Sequence, residues 1–307
     1  MNLLQLTDLQ PDDIRRIWAL AGEAPGPALK PAPGGTVAWS FEGNGIRTRT
    51  TFIEAFRQLG LAFTELPNLL KTGERPEDLA GYLDPFYSLY VVRESDHPRL
   101  SAFAAASRRP VINAMSAQGH PCEVLTDAYY VDTRIKPLQD ARVCLWGPST
   151  NVFRSWHELA QVLGFALVQV CDRHFHEALP QVEFVEPSAL PQAVDVVITD
   201  SWPASAEADA TTQTDLTPLT EEHLAAMGSP ALLPTPPFTL GRELTVDPVA
   251  YPGFVGYAQK ELLRPVQTAI VRWVLEAAAA ASAAAADAEA EAESDGGTGK
   301  AGTRADR

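Results

Sequence analysis

Cysteine and positive charge are both scarce in this sequence. Three cysteines among 307 residues (Cys122, Cys144 and Cys171) form no C-x-x-C pair and leave an odd count, which argues against a disulfide framework. Lysine and arginine number 24 against 39 aspartates and glutamates, so the formal net charge is −15. This negative excess argues against nucleic acid or an anionic membrane surface as a partner.

Targeting segments and cofactor motifs are also missing. No basic-then-apolar segment opens the chain, and we identify no run of about 18–20 apolar residues with membrane-spanning character. The Ala-rich stretch near the C-terminus is interrupted by Asp and Glu. The turn at residues 147–151 does not follow G-x-G-x-x-G, so no dinucleotide site is predicted. We expect a soluble cytoplasmic protein with no metal, no cofactor and no membrane partner.

What the sequence does contain is a regular alternation of strand-like and helix-like segments. This alternation predicts an α/β fold with two doubly wound parallel-sheet domains, over residues 1–135 and 136–257. A long helix is predicted over about residues 258–280. Residues 203–220 are predicted to form a mobile loop, and the low-complexity tail at 281–307 is predicted to be disordered.

The segment from Phe41 to Phe52 is the most informative stretch. A β-rich run enters a Gly/Asn turn, and an amphipathic helical pattern follows, with Arg47 and Thr48 where the loop feeds the helix. Free N–H groups and the positive dipole end of a helix bind phosphate, and a guanidinium can clamp two of its oxygens. An Arg-Thr-Arg at a helix start is, in isolation, more often a solvated surface.

Two further motifs lie along the chain. Arg93 ends an apolar strand-like run, and His120-Pro121-Cys122-Glu123 follows it. Alone, a histidine before proline is usually a helix cap or a core residue, and Cys122 is predicted to be structural. In this order, however, the motifs resemble those of the aspartate/ornithine carbamoyltransferase family, whose usual strings are Ser-Thr-Arg-Thr-Arg and His-Pro-Cys-Gln.

The resemblance implies transfer of a carbamoyl group from carbamoyl phosphate to an amine. It assigns catalytic roles to Arg47, Arg93 and His120. The residues it implies for carbamoyl phosphate are Gly45, Ile46, Arg47, Thr48, Lys71, Arg93, His120, Glu123, Pro234 and Thr235. Lys71 would act across a subunit interface of a homotrimer, and the long C-terminal helix would return to pack on the first domain.

The resemblance also implies an amine site in the second domain. It assigns Asn151, Asp200 and Trp202 to the amine, although Asp200 could instead cap a helix. Around Leu233–Pro236 the family uses backbone carbonyls to hold the carbamoyl NH2, which implies a cis bond between Thr235 and Pro236.

Departures from the family pattern leave alternatives open. Gly45 and Ile46 replace Ser-Thr, and Glu123 replaces Gln. No basic cluster follows Trp202, so the expected acceptor is ornithine-like or a specialised diamino acid. The alternatives are a non-catalytic binding or regulatory relative, and a related transfer from a different acyl phosphate.

Overall fold

The computed structural model of the chain describes residues 1–23, 35–203 and 216–296, with side chains through residue 288. Two parallel sheets form its centre. The first has the order β2-β1-β3-β4 and the second the order β7-β6-β5-β8-β9. The strands are β1 Thr36–Phe41, β2 Ala62–Glu65, β3 Leu89–Arg93, β4 Val111–Met115, β5 Val143–Trp146, β6 Leu167–Val170, β7 Val182–Val185, β8 Val196–Thr199 and β9 Ala231–Pro234.

Helices form most of the connections between these parallel strands, but β6 and β7 are joined through a single 3-10 turn at Arg173–Phe175, and the described residues between β7 and β8 contain no helix. The helices are α1 Pro11–Gly22, α2 Ile46–Gln58, α3 Pro76–Leu83, α4 His97–Ala106, α5 Pro121–Tyr130, α6 Asn151–Leu163, α7 Glu221–Ala226, α8 Gly256–Glu261 and α9 Leu263–Gly296. The predicted architecture of two parallel α/β sheets is therefore confirmed. The domain limits at residues 135 and 257 stay a prediction.

The strands form because their sequences are apolar on both faces. The central strands β5 and β8 are buried at every position, as expected of parallel strands covered by helices on both sides. In the first sheet Phe41 and Arg93 are paired in register at the ends of β1 and β3. The carboxyl ends of the strands, where open α/β sheets bind ligands, thus carry the predicted motifs.

The amphipathic pattern, with apolar residues from Phe52 onward, predicts a helix from about residue 50, but α2 begins earlier, at Ile46. Gly45 has φ +30° and ψ +42°, and this left-handed conformation turns the chain directly into the helix at Ile46. Arg47 and Thr48 therefore belong to the first helical turn, where backbone N–H groups lack intrahelical partners.

Helix α9 returns to the first sheet and packs against α1, α2 and α5. Its buried face includes Val266, Ile270, Val271 and Val274. The helix also continues to Gly296, past the predicted limit near residue 280. The disorder of the tail stays a prediction. Alanine has the highest helix propensity, which accounts for this extension. Residues 297–307, most of the predicted 203–220 loop (204–215) and residues 24–34 lie outside the described residues.

Within the described ranges, the stretch Gly256–Ala288 is long and apolar enough to cross a membrane by length and composition. The expectation that no segment has this character is therefore corrected, because alanine contributes positively to the mean hydropathy of the stretch. The apolar residues in the first half of α9 are buried against the helices of the first sheet, as in a core helix.

Candidate active site

A cavity of about 460 Å³ opens at the carboxyl ends of strands from both sheets. The loops after β1, β8 and β9 reach it, as do the first turns of α2, α5 and α6 and the end of α8. Its lining residues are Asn44, Gly45, Ile46, Arg47, Thr48, Arg93, Met115, His120, Glu123, Asn151, Val152, Asp200, Ser201, Thr235, Pro236, Pro237 and Lys260.

Ten of the predicted site residues line this one cavity. They are Gly45, Ile46, Arg47, Thr48, Arg93, His120, Glu123, Asn151, Asp200 and Thr235. Three others do not line it. Pro234 ends the buried strand β9, and the indole of Trp202 lies against Gly147. Lys71 Nζ is paired with Glu94 and, at 3.2 Å, with Glu42. The chemical roles of all these residues stay predictions.

Arg47 and Thr48 stand in the first turn of α2, beside the cavity. Thr48 is buried, whereas Arg47 is exposed and its guanidinium has no hydrogen-bond or ion-pair partner in the described part of the chain. Ile46, in the position of a family hydroxyl residue, is 70% exposed. The first turn therefore offers an anion one free guanidinium and unpaired backbone N–H groups.

Arg93 approaches the same place from the end of β3. Its carbonyl accepts a hydrogen bond from Glu42 N–H at 3.0 Å, and its guanidinium lies 5.6 Å from the centroid of the Phe41 ring. Burial, and then the positive charge of Arg47, lower the pKa of Arg93. Two neighbouring cations at this end of the cavity favour a negatively charged ligand.

His120 precedes α5 and is held by its backbone. Its N–H donates to Ser155 Oγ at 2.9 Å, while its ring Nδ1 is buried without a partner among the described residues. Burial lowers the pKa of His120 to about 4, against the opposing charge of Glu123. The imidazole is therefore neutral near pH 7, and it can donate one hydrogen bond without carrying a charge.

Glu123 has an ion-pair partner that the sequence analysis missed. Lys260 Nζ, from α8, pairs with Glu123 Oε1, and both groups are largely buried. Burial alone would raise the pKa of Glu123, but the positive charge of Lys260 holds it below its usual value. The only signal in the sequence was the Gln-to-Glu exchange itself, since a buried carboxylate requires a cation.

Asn151 and Asp200 form the opposite wall. Asn151 Nδ2 donates to the carbonyl of Ser116 at 2.8 Å, which leaves its amide oxygen for a ligand. Asp200 directly follows β8. Burial raises the pKa of Asp200 to about 7, although hydrogen bonds from Thr150 and from the Ser201 backbone oppose that shift.

The turn after β9 completes this wall. Thr235 N–H donates to the carbonyl of Thr199 at 2.8 Å. The cis peptide bond joins Pro236 and Pro237, so the prediction of a cis bond before Pro236 is wrong by one residue. Both bonds precede a proline, and the sequence alone does not distinguish them.

Comparisons with known proteins identify relatives of this chain. Residues 1–133 match the family model "Aspartate/ornithine carbamoyltransferase, carbamoyl-P binding domain". Over 268 residues the chain is 27% identical to the ornithine carbamoyltransferase of Nitrobacter winogradskyi, covering 81% of this chain and 87% of that relative.

Solved structures show the same fold. The ornithine carbamoyltransferase of Burkholderia thailandensis matches with a TM-score of 0.77 at 24% identity, covering 89% of this chain and 98% of that one. The enzyme from Pyrococcus furiosus matches with a TM-score of 0.78 at 23% identity, covering 90% and 97%. In sequence and fold the chain is thus similar to ornithine carbamoyltransferases, and its first 133 residues match the carbamoyl-phosphate-binding domain of the aspartate/ornithine carbamoyltransferase family.

Proposed function

We propose that the protein is a carbamoyltransferase that moves the carbamoyl group of carbamoyl phosphate to an amine. One observation carries this proposal: Arg47, Arg93 and the neutral His120 line a single cavity with the first turn of α2. The acceptor is an amino acid or diamine that faces Asn151 and Asp200.

In the proposed reaction, the neutral amine nitrogen attacks the carbamoyl carbon and a C–N bond forms. The C–O bond to phosphate then breaks, and phosphate leaves with the bonding electrons and, overall, the amine proton. Arg47 and the first-turn N–H groups hold the phosphate, while Arg93 and His120 stabilise the negative charge that builds on the carbonyl oxygen. Such preorganised donors are worth about 2.7–4 kcal/mol each in other enzymes.

The ion pair between Glu123 and Lys260 supports an active enzyme. A lone carboxylate beside a phosphate dianion would repel the substrate, but Lys260 supplies the compensating charge within the same cavity. Glu123 can still accept a hydrogen bond from the carbamoyl NH2.

The acceptor side supports an amine that bears a second cationic group. Asp200 is the acidic residue placed to meet an ammonium, and its pKa of about 7 lets it ionise near neutrality. Ornithine or a related diamino acid has this charge pattern. We further propose a cytoplasmic homotrimer, in which Lys71 serves the site of a neighbouring subunit.

One observation favours the alternative of a non-catalytic binding protein. Gly45 and the exposed Ile46 remove two hydroxyl donors from the phosphate end of the cavity. At about 0.5–1.5 kcal/mol for each lost hydrogen bond, binding would weaken by one to two orders of magnitude.

The test is product formation from labelled carbamoyl phosphate with a panel of amines that includes ornithine. Arg47→Ala and His120→Ala should each lower turnover by about 10²-fold or more. Arg49→Ala is the matched control, because Arg49 pairs with Glu65 and does not line the cavity. If no amine yields product while carbamoyl phosphate still raises the melting temperature, the protein binds the substrate without transferring it.

A further inference from the structure

We infer that Gly45 and Phe41 are positioning residues, which together hold the Arg93 guanidinium at the phosphate end of the cavity. The consequence for ligand binding rests on the proposed function, whereas the placement of Arg93 does not. Gly45 then contributes to the site by leaving room for Arg93, and its lack of a hydroxyl group is not simply a loss.

The close approach at Gly45 carries this inference. A Cβ added to Gly45 would lie 2.4 Å from Phe41 Cε1, 2.8 Å from Arg93 Nη1 and 3.1 Å from Arg93 Cζ. Contacts below 3.0 Å essentially do not occur for real Cβ atoms, so any side chain at this position must displace both neighbours. The Phe41 ring and the Arg93 guanidinium thus fill the space that a side chain at position 45 would take.

Of the two neighbours, Arg93 moves more easily. Phe41 is 4% exposed and its ring packs on Trp39, with the ring centroids 4.3 Å apart. The guanidinium, by contrast, is the end of a flexible side chain, and it has no hydrogen-bond partner within the described ranges. A side chain at position 45 would therefore expel the Arg93 guanidinium and would also force the Phe41 ring to shift.

The Phe41 ring also lies next to the Arg93 guanidinium and can stabilise its position. The guanidinium lies 5.6 Å from the ring centroid, within the range of a cation–π contact. Phe41 and Arg93 are paired in register on adjacent strands, so the backbone brings the ring and the guanidinium together. Where the family pattern has a serine, this chain has Gly45. It therefore lacks one neutral hydroxyl donor, but the charged Arg93 guanidinium can lie closer to the loop.

The test compares alanine at two glycines of the same loop. Gly43 also has a positive φ, of +68°, but a Cβ there meets nothing within 4 Å. Gly43→Ala thus reports backbone strain alone, and Gly45→Ala reports strain together with the displacement of Arg93. By calorimetry with carbamoyl phosphate, we expect Gly45→Ala to weaken binding by about 10- to 100-fold, as loss of a charged hydrogen bond does. Gly43→Ala should stay within about threefold of the parent chain.

A double-mutant cycle separates positioning from general damage. In an Arg93→Ala background, Gly45→Ala should cause little additional loss, because the residue through which Gly45 acts is already absent. An equal loss in both backgrounds would overturn the inference. Should Gly45→Ala fail to fold, Phe41→Leu keeps apolar bulk, removes the ring beneath the guanidinium, and should weaken binding several-fold.

A crystal structure of the Gly45→Ala variant, or of Phe41→Leu, decides the inference even without ligand binding. A displaced Arg93 guanidinium supports it, and an unmoved guanidinium overturns it. Absence of carbamoyl phosphate binding by the parent chain would count against the proposed function, whereas normal binding by Gly45→Ala would count against the positioning role alone.

Discussion

At the scale of single residues, burial moves the pKa values of Asp200 and His120 in opposite directions. It raises the pKa of Asp200 to about 7 and lowers that of His120 to about 4. Both shifts have one cause, since loss of solvation disfavours whichever form is charged. Near pH 7 the cavity therefore combines an uncharged hydrogen-bond donor with a carboxylate that is about half ionised.

The Asp200 shift predicts a pH dependence for the acceptor. Affinity for the ammonium form of ornithine should rise about tenfold between pH 6 and pH 8 as Asp200 ionises. Calorimetric titrations across this range, with a non-reactive carbamoyl phosphate analogue present, measure the effect. Asp200→Asn should bind ornithine weakly and with no such rise, and an unchanged rise in that variant would assign the titration to another group. His120 titrates well below this window.

The same shifts act on stability with opposite signs. The folded state holds the Asp200 proton more tightly than the unfolded chain does, so this contribution is present at acid pH and is lost as the pH rises from about 4 to about 7. His120 is the reverse, because the unfolded chain binds its proton more tightly. Its contribution is lost as the pH falls from about 6.5 to about 4.

Sequence motifs were sufficient for some residues of the site and not for others. Arg47, Arg93 and His120 each belong to a short string with a defined position relative to a strand or helix, and the fold brings all three to one cavity. Lys260 belongs to no such string and lies 137 residues from Glu123. Its pairing depends on how α8 packs against α5, which is a tertiary property.

At the scale of elements, a small polar contact joins α5 to α8. Lys260 pairs with Glu123, and Gln259 Nε2 donates to Asp127 Oδ1 at 2.5 Å. Both interactions connect a helix at the edge of the first sheet to the segment that follows the second. The contact is buried, so an unpaired member would be costly.

Breaking this ion pair should destabilise the protein more than breaking a surface pair. Lys260→Met leaves Glu123 buried and unpaired, at an expected cost of about 3–5 kcal/mol. The matched control is Lys136→Met, which breaks a more exposed pair with Asp195 and should cost about 0–1 kcal/mol. Urea unfolding of both variants measures the difference.

Adding Glu123→Gln to Lys260→Met should restore most of the lost stability, because the uncompensated charge is then removed. Equal losses for Lys260→Met and Lys136→Met would contradict a role for the pair in joining α5 and α8.

Element types were predictable where burial and periodicity agree. The predicted alternation of strands and helices was found, and the helix predicted from about residue 258 corresponds to α8 and α9. The start of α2 was misplaced because the left-handed conformation of Gly45 is a local backbone choice that periodicity does not reveal. The extent of α9 was underestimated because propensity, with little burial, continues that helix.

At the scale of the whole molecule, the proposed trimer makes a separate prediction. Within one chain Lys71 does not line the cavity and is paired with Glu42 and Glu94. If it serves a neighbouring site, Lys71→Ala and Arg47→Ala chains should both be impaired alone, while hybrid trimers would contain some sites with both residues intact. Random mixing of equal amounts restores about a quarter of the sites in a cyclic trimer.

To carry out this test, the two variants are coexpressed with different tags. The hybrid trimers are then purified and their turnover is measured. Recovery of the purified hybrids to about a third of parent activity supports a shared site, because each mixed cyclic trimer has one intact site in three. Hybrids no more active than the average of the two pure variants would mean that each site is complete within one chain.

The position of Lys260 also sets an order of events during synthesis. Residues 45–123 leave the ribosome well before Lys260, so the nascent chain carries Glu123 without its counter-charge until α8 emerges and packs. A partly made chain would contain residues 45–48 but would lack the Lys260 charge that compensates Glu123 in the cavity. If the proposed function holds, tight binding of carbamoyl phosphate should therefore begin only after α8 has packed, late in translation.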